Sequence, residues 1–313
     1  MKTNTYRKQF LQIFDSIDFD SIIDHPNILI AASFWDNDRY CAAKTCYRFM
    51  RKIDDLIDNH KAANKRIAPE ERKAFLTDVG QWLQMVVISD DCNPDKEALI
   101  KTVERFMIPL WTLESFARSM IYDINNDGFR TLEDFIEYSQ GASVAPASIF
   151  VHLSGLKQDG DGYREPEFDV REAATPCAIF SYLVHIIRDF QKDQLNNLNY
   201  FADDLVAKNS LSRQDLNDLA HGSQVTAGFR NLIREYRAIA DKYRRETLEI
   251  MKRIGPLMEP SYRLSLEIIF SLYLMVFERI DPENGSFTSA ELNPSPAETR
   301  ERVFETIMNF SIE

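Results

Sequence analysis

Two stretches of this 313-residue chain combine residue types and spacing that could do chemistry: Arg51-Lys52-Ile53-Asp54-Asp55-Leu56-Ile57-Asp58 and Arg188-Asp189-Phe190-Gln191-Lys192-Asp193. In each, an arginine precedes two aspartates spaced i and i+4, Asp54 with Asp58 and Asp189 with Asp193. A helical repeat of about 3.6 residues puts such a pair on one face, one turn apart. Like charges at that spacing cost an isolated helix roughly 0.2 to 0.5 kcal/mol. Carboxylate pairs without cysteine are ligands for hard cations, and Mg2+ typically bridges one or two carboxylates to substrate phosphates. Two such claws facing each other could therefore hold a diphosphate through metal ions. Arg51 and Arg188 could add charge-assisted hydrogen bonds. Lewis-acid help to a departing diphosphate would leave a carbocation, which the faces of Tyr47, Tyr138, Tyr182, Tyr200 and Tyr273 could stabilise. A single D-x-x-x-D usually means a solvated face, and each tyrosine alone reads first as core packing; the recurrence of the claw favours a metal site.

The elements that must carry these residues read as helices. Phe10, Ile13, Phe14 and Ile17 fall at helical spacing, predicting a short opening helix that stops near Asp24-His25-Pro26. Asp36 to about Lys61 predicts one long helix, with the first claw on its C-terminal half. Pro69-Glu70-Glu71 reads as a helix start running on to about Val87. Ala98 to Tyr122 predicts a helix bent near Pro109. Arg171 to Asn196 predicts the second claw helix, nearly apolar all round from Ile179 to Ile187, as a helix inside a bundle would be. Charged residues at the end of a buried helix need partners. Helices over Arg213 to Ala220, Ser223 to Arg253, Glu259 to Ile280 and after Pro294-Ser295-Pro296 complete the pattern.

Two further stretches admit competing readings. Asp123, Asn125, Asp127, Gly128 and Asp134 match the spacing of a calcium loop, but Arg130 and a final Asp depart from it. A polar turn in which Thr131 and Asp134 cap the next helix explains the same letters. From Thr131 to about His152 a helix passes through Gly141-Ala142-Ser143-Val144-Ala145-Pro146-Ala147-Ser148, small enough for a ligand or a neighbouring helix to approach closely. Gly155 to Pro166 reads as a loop.

Composition bounds these possibilities. Hydrophobic residues make up 44% and charged residues 27%, with 10 Gly and 12 Pro, a composition suited to long helices. The net charge of -12 argues against non-specific nucleic-acid binding. The four cysteines, Cys41, Cys46, Cys92 and Cys177, show no C-x-x-C and read as reduced thiols in a cytoplasm. No apolar run approaches the ~20 residues needed to span a bilayer, which leaves peripheral contact with a membrane open. There is no G-x-G-x-x-G fingerprint, so use of NADPH is left undecided; oligomeric state is not legible.

Cys46 through Asp58, and Ile186-Ile187-Arg188-Asp189 through Asp193 to Tyr200-Phe201, resemble the squalene and phytoene synthase family, and the helix order extends the resemblance over most of the chain. The resemblance implies an all-α fold, a single isoprenoid synthase helical bundle over residues 1–313 with a central cavity. It implies a Mg2+-dependent prenyltransferase that joins two prenyl diphosphates, farnesyl or geranylgeranyl, head to head. Asp54, Asp58, Asp189 and Asp193 then look like metal ligands and Arg51 and Arg188 like diphosphate contacts. Tyr47, Tyr138 and Tyr200 stand where the family places cavity tyrosines. Departures touch diphosphate binding more than the bundle. His185 replaces the usual Asn ligand and reads as a general base or a donor to diphosphate. Leu198 stands in place of an arginine, and Asn27-Ile28-Leu29-Ile30 replaces an S-x-S-F pattern. Two other functions fit the same letters: ionisation of one prenyl diphosphate for cyclisation or transfer to another acceptor, and a catalytically silent assembly or lipid-binding protein.

Overall fold

The computed structural model describes residues 2–20, 27–64, 66–85 and 94–311. Its helices are, in chain order, α1 (Lys2–Ser16), α2 (Asn27–Ala32), α3 (Asn37–Asn64), α4 (Arg72–Gln84), α5 (Pro94–Arg105), α6 (Leu110–Asn125), α7 (Leu132–Ser139) and α8 (Ala145–Gly155). A hairpin of β1 (Lys157–Asp159) and β2 (Gly162–Arg164) intervenes. There follow α9 (Val170–Arg188), α10 (Phe190–Leu195), α11 (Asp203–Lys208), α12 (Arg213–Ala220), α13 (Ala227–Ile254), α14 (Pro260–Arg279), α15 (Ser289–Leu292) and α16 (Pro296–Asn309). The all-α expectation holds.

Two apolar cores flank a large cavity. One joins α1–α6, α8 and α16 to the start of α9 (Ala173, Ala174), the end of α13 (Ile254) and one side of α14; the other joins α7, α9 from Ala178 onward, α10–α13 and another side of α14. The claw-bearing stretches of α3 and of α9–α10 therefore belong to different cores. Along α3 the buried residues Ala42, Cys46, Phe49, Ile53 and Ile57 recur at helical spacing. This stripe anchors α3 and leaves Tyr47, Arg51, Asp54 and Asp58 beside it, facing the cavity. Helix α9 packs against α8, α13 and α14. That environment explains why its run from Ile179 to Ile187 is apolar except at Ser181, Tyr182 and His185, which line the cavity.

Several boundaries differ from the sequence reading, each for a physical reason. The expected bent helix over Ala98 to Tyr122 is two helices: Met107 takes a left-handed φ of 49°, and the proline at 109 disfavours helix at Ile108. The Phe106 carbonyl freed by the break receives His152 Nε2 at 2.8 Å. The segment from Thr131 is not continuous α-helix but passes through a π-helical turn, Gln140–Val144. The second claw helix is interrupted at Asp189, although Asp189 N–H to His185 O (2.9 Å) and Asp193 N–H to Asp189 O (2.8 Å) keep the chain turning helically. Pro69-Glu70-Glu71 forms a turn, and α4 starts only at Arg72. Helix α13 waits for its cap, the Thr226 hydroxyl accepting from Phe229 N–H. The loop at Gly155 to Pro166 contains the β-hairpin, and the expected opening helix is α1, Lys2–Ser16. The expected stops at Asp24–Pro26 and Val87, and Cys92, lie outside the described residues.

Of the two readings at Asp123 to Asp134, the cap is the one observed. Thr131 and Asp134 form a reciprocal capping box, with Thr131 Oγ1 accepting from Asp134 N–H at 3.1 Å and Asp134 Oδ2 accepting from Thr131 N–H at 3.2 Å. Asp123 is part of α6 and its carboxylate is engaged elsewhere, so the calcium-loop spacing is coincidental.

Candidate active site

The cavity measures about 1390 Å³, and the residues given a site role by the two claws or by the family resemblance line it: Tyr47, Arg51, Asp54, Asp58, Tyr138, His185, Arg188, Asp189, Asp193 and Tyr200. Tyr182, Tyr273 and Leu198 line it as well. Its character changes along α9. Cavity-facing residues in the first half are Ala173, Ala174, Cys177 and Ala178; in the last turns they are Tyr182, His185 and Asp189. One end of the cavity is thus charged, and the remainder, walled by residues such as Ile250, Leu266, Ile269 and Met275, is apolar. A hydrogen bond from Asn197 Nδ2 to Ala62 O at 3.1 Å ties the turn after α10 to the end of α3, holding the two claws on the same end of the bundle.

The two claws differ in their internal pairing. In the first, Arg51 Nη1 donates to Asp54 Oδ2 at 2.7 Å, and Nη2 donates to Asp55. Burial pushes the Asp54 carboxyl up; Arg51 opposes this, while Asp123 and Asp55 add to it. Burial, Asp54 and Asp123 push Asp58 up as well. In the second claw, Arg188 grips Asp189 with Nε to Oδ1 at 2.7 Å and Nη2 to Oδ2 at 2.9 Å. His185 Nε2 lies 2.8 Å from Asp189 Oδ2. Burial alone would raise the Asp189 carboxyl, but Arg188 and His185 together hold it well below the usual range. Asp193 has no such partner among the described residues: burial and then the Asp189 charge one turn back push it up to about 8.

His185 is engaged on both ring nitrogens. A carboxylate can only accept, so Nε2 carries the proton it shares with Asp189; Nδ1 then faces Arg188 Nη2 at 3.4 Å as an acceptor. Burial and the neighbouring Arg188 hold the imidazole below its ordinary value. The ring is neutral at physiological pH and braces Asp189.

The chemistry of the donor set fits hard cations. It is all oxygen, and burial and then the neighbouring carboxylate push the outer aspartate of each claw up, an environment that added positive charge would relieve. Among the described residues, no three His, Cys, Asp or Glu side chains are grouped to hold an ion by themselves. Water and phosphate oxygens would complete the coordination, as Mg2+ usually requires.

Sequence reasoning missed a third carboxylate beside the claws. Asp123 Oδ1 lies 3.3 Å from Lys61 Nζ, which also donates to Asn126 O at 2.9 Å. Asp123 Oδ2 accepts the Tyr138 hydroxyl at 2.5 Å. Tyr138, Tyr182 and Tyr200 form a row with ring centroids 6.3 and 6.2 Å apart. The only sequence signal for Asp123 was a calcium-like spacing that pointed to the wrong partners.

Comparison with known proteins agrees with this architecture. The family model for squalene/phytoene synthase matches residues 26–298. No curated protein sequence matches the chain. Among solved structures, a dehydrosqualene synthase in complex with ligand superposes with a TM-score of 0.66 at 15% identity, covering 97% of this chain and 99% of that one. The squalene synthase HpnC from Alicyclobacillus acidocaldarius gives 0.63 at 14% identity, with 88% and 93% covered. YisP from Bacillus subtilis subsp. subtilis strain 168 gives 0.63 at 11% identity, with 97% and 98% covered. These structural likenesses speak to the fold, and the family match covers most of the chain. With two arginine-led aspartate pairs at the charged end of an otherwise apolar cavity, the chain belongs to the squalene/phytoene synthase family of prenyltransferases.

Proposed function

We propose that the protein joins two prenyl diphosphates, farnesyl or geranylgeranyl, head to head with release of diphosphate, using Mg2+ and residues 1–313 as one catalytic domain. The observation that carries this reading is the pairing of two aspartate claws with an apolar trough in one cavity. Asp54 with Asp58, and Asp189 with Asp193, would hold the metal; Mg2+ bound there supplies the positive charge that makes diphosphate a leaving group. Arg51 and Arg188 direct guanidinium hydrogens toward the same end and can share them with phosphate oxygens. His185 fixes the rotamer of Asp189. The trough takes the prenyl chains and keeps water from the allylic cation, whose charge the faces of Tyr47, Tyr138 and Tyr200 stabilise. Among the described residues no helix is long and apolar enough to cross a membrane. We place the protein in the cytoplasm, with peripheral membrane contact as the route by which so apolar a product leaves.

Incubation with farnesyl or geranylgeranyl diphosphate, with Mg2+ or with chelator, followed by mass analysis of extracted products, tests the reading. A magnesium-dependent C30 or C40 product is expected, and its mass also reports whether NADPH alters it. A cyclised or transferred product from one substrate would replace head-to-head coupling by the single-ionisation alternative. No diphosphate release by folded protein would leave the non-catalytic one. Asp54→Ala and Asp189→Ala should each lower turnover by roughly 10²-fold or more, the scale of losing one electrostatic stabiliser. Unchanged turnover in either variant overturns the assignment.

A further inference from the structure

The Lys61–Asp123 pair behind the tyrosine row has no part in the scheme above. It joins α3 to α6 and sits beside α7, and Asp123 is only 13% exposed, Lys61 7%. Every carboxylate oxygen of Asp123 is in use, one by Lys61 and one by Tyr138. Its carboxyl group is therefore already committed and is not a spare metal ligand, even though its charge bears on Asp54 and Asp58.

The position of Tyr138 is fixed from two directions. Its backbone carbonyl accepts the Ser119 hydroxyl at 2.7 Å, one turn before Asp123 on the same helix. Directly after it, the π-helical turn brings Gly141 so close to α6 that an added Cβ would fall 2.0 Å from Ser115 O. Both contacts clamp α7 to α6, the helix that bears Asp123. The ring itself packs on Phe129 at 5.0 Å and Tyr122 at 5.5 Å. What these contacts leave free is rotation of the hydroxyl, and the Asp123 carboxylate removes that freedom.

Resting on the proposed prenyl transfer, we infer that Lys61 and Asp123 are positioning residues that set the hydroxyl of Tyr138. The O–H hydrogen is turned outward to the carboxylate, so the oxygen lone pairs and the ring face are what the cavity receives. A phenol free to rotate could present its positive hydrogen to a nascent allylic cation; a phenol bound to Asp123 cannot. Through this hydrogen bond the carboxylate raises electron density on Tyr138; burial pushes the Asp123 carboxyl up, and Lys61 opposes that push. The arrangement favours the cation formed after diphosphate leaves and contributes nothing to binding of the diphosphate.

Asp123→Asn, Lys61→Met and Tyr138→Phe, each with a double variant, provide the test. In the wild type, a far-downfield hydroxyl proton resonance that disappears in both Asp123→Asn and Tyr138→Phe is expected, and its absence from the folded wild type overturns the inference whatever the activity. On coupling, Asp123→Asn should lower kcat on the order of 10- to 100-fold, as loss of an outer partner of a site group typically does. KM and the Mg2+ requirement should stay within about 3-fold, and ionised substrate should appear as prenyl alcohol in place of coupled product. Tyr138→Phe combined with Asp123→Asn should cost no more than the worse single variant. Additive losses, or an increased Mg2+ requirement in Asp123→Asn alone, would overturn the inference and make Asp123 part of the metal site. Should the wild type show the resonance but form no coupled product, the failure lies with the proposed reaction and the hydroxyl geometry stands.

Discussion

At the scale of single residues, the four aspartates share a residue type but not an environment. Asp189 is gripped by Arg188 and His185 and stays ionised; Asp58 and Asp193, each one turn beyond another carboxylate, are pushed up to about 8. A group whose pKa is higher in the folded protein than in the unfolded chain stabilises folding below the unfolded value, and that contribution is lost as pH rises through the folded value. For Asp58 and Asp193 the window runs from the ordinary 3.8 to about 8. The metal-free protein should therefore melt at progressively lower temperature as pH is raised from about 5 to about 8 and level off above that, and saturating Mg2+ should diminish or reverse that trend. Calorimetric titration with Mg2+ near pH 7 in buffers of different ionisation enthalpy should show proton release; a heat independent of buffer would contradict these carboxyl environments. The i, i+4 spacing made the pairs legible in the sequence. It could not reveal which member of each pair keeps its charge, because that depends on Arg188, His185 and Asp123 in three dimensions. Asp123 itself was hidden: its partners lie 62 and 15 residues away, while its nearest neighbours in sequence spelled a calcium loop.

At the scale of elements, periodicity located most helices, and the errors cluster where the backbone departs from an ideal helix. Nothing local distinguishes Gln140–Val144 from α-helix, since the π-turn exists to fit α6 against α7 and α8. The small residues noticed at Gly141 to Ser148 serve both of the purposes considered. Gly141 lets the backbones cross, whereas Ala142, Ser143, Pro146 and Ala147 line the cavity. A side chain at 141 must displace the backbone of Ser115 and not merely a flexible group. Gly141→Ala is accordingly expected to destabilise by about 1 to 3 kcal/mol, the usual range for forced overpacking, with a lower denaturant midpoint and an unchanged slope. A midpoint equal to that of the wild type would show that α6 and α7 can separate without cost. The break at Asp189 was equally invisible, because the chain keeps turning through it.

At the scale of the whole molecule, the two claws are carried by different apolar cores, α3 by one and α9–α10 by the other, with the cavity between them. The all-α bundle was legible from composition and periodicity. Its division into two cores was not, because which apolar stripe meets which is settled only by packing. Binding at the claws is therefore expected to link the two halves. Mg2+ with inorganic diphosphate, which bears the charge of the substrate without its chain, should raise the melting temperature more than the sum of the two components added singly. At about 100 times the dissociation constant, the linkage contributes ~2.7 kcal/mol. In a protein of this size that corresponds to a rise of roughly 5 °C. Because bridging needs both sides, Asp54→Asn and Asp189→Asn should each remove most of the joint effect, although the two residues lie on separate helices. Hydrogen exchange would locate it: protection should increase on the C-terminal half of α3 and on the end of α9 together. Protection confined to one claw, or a full shift retained when the other claw is mutated, would mean that diphosphate is held by the one claw alone and that the facing pair acts later, when the second prenyl group is joined.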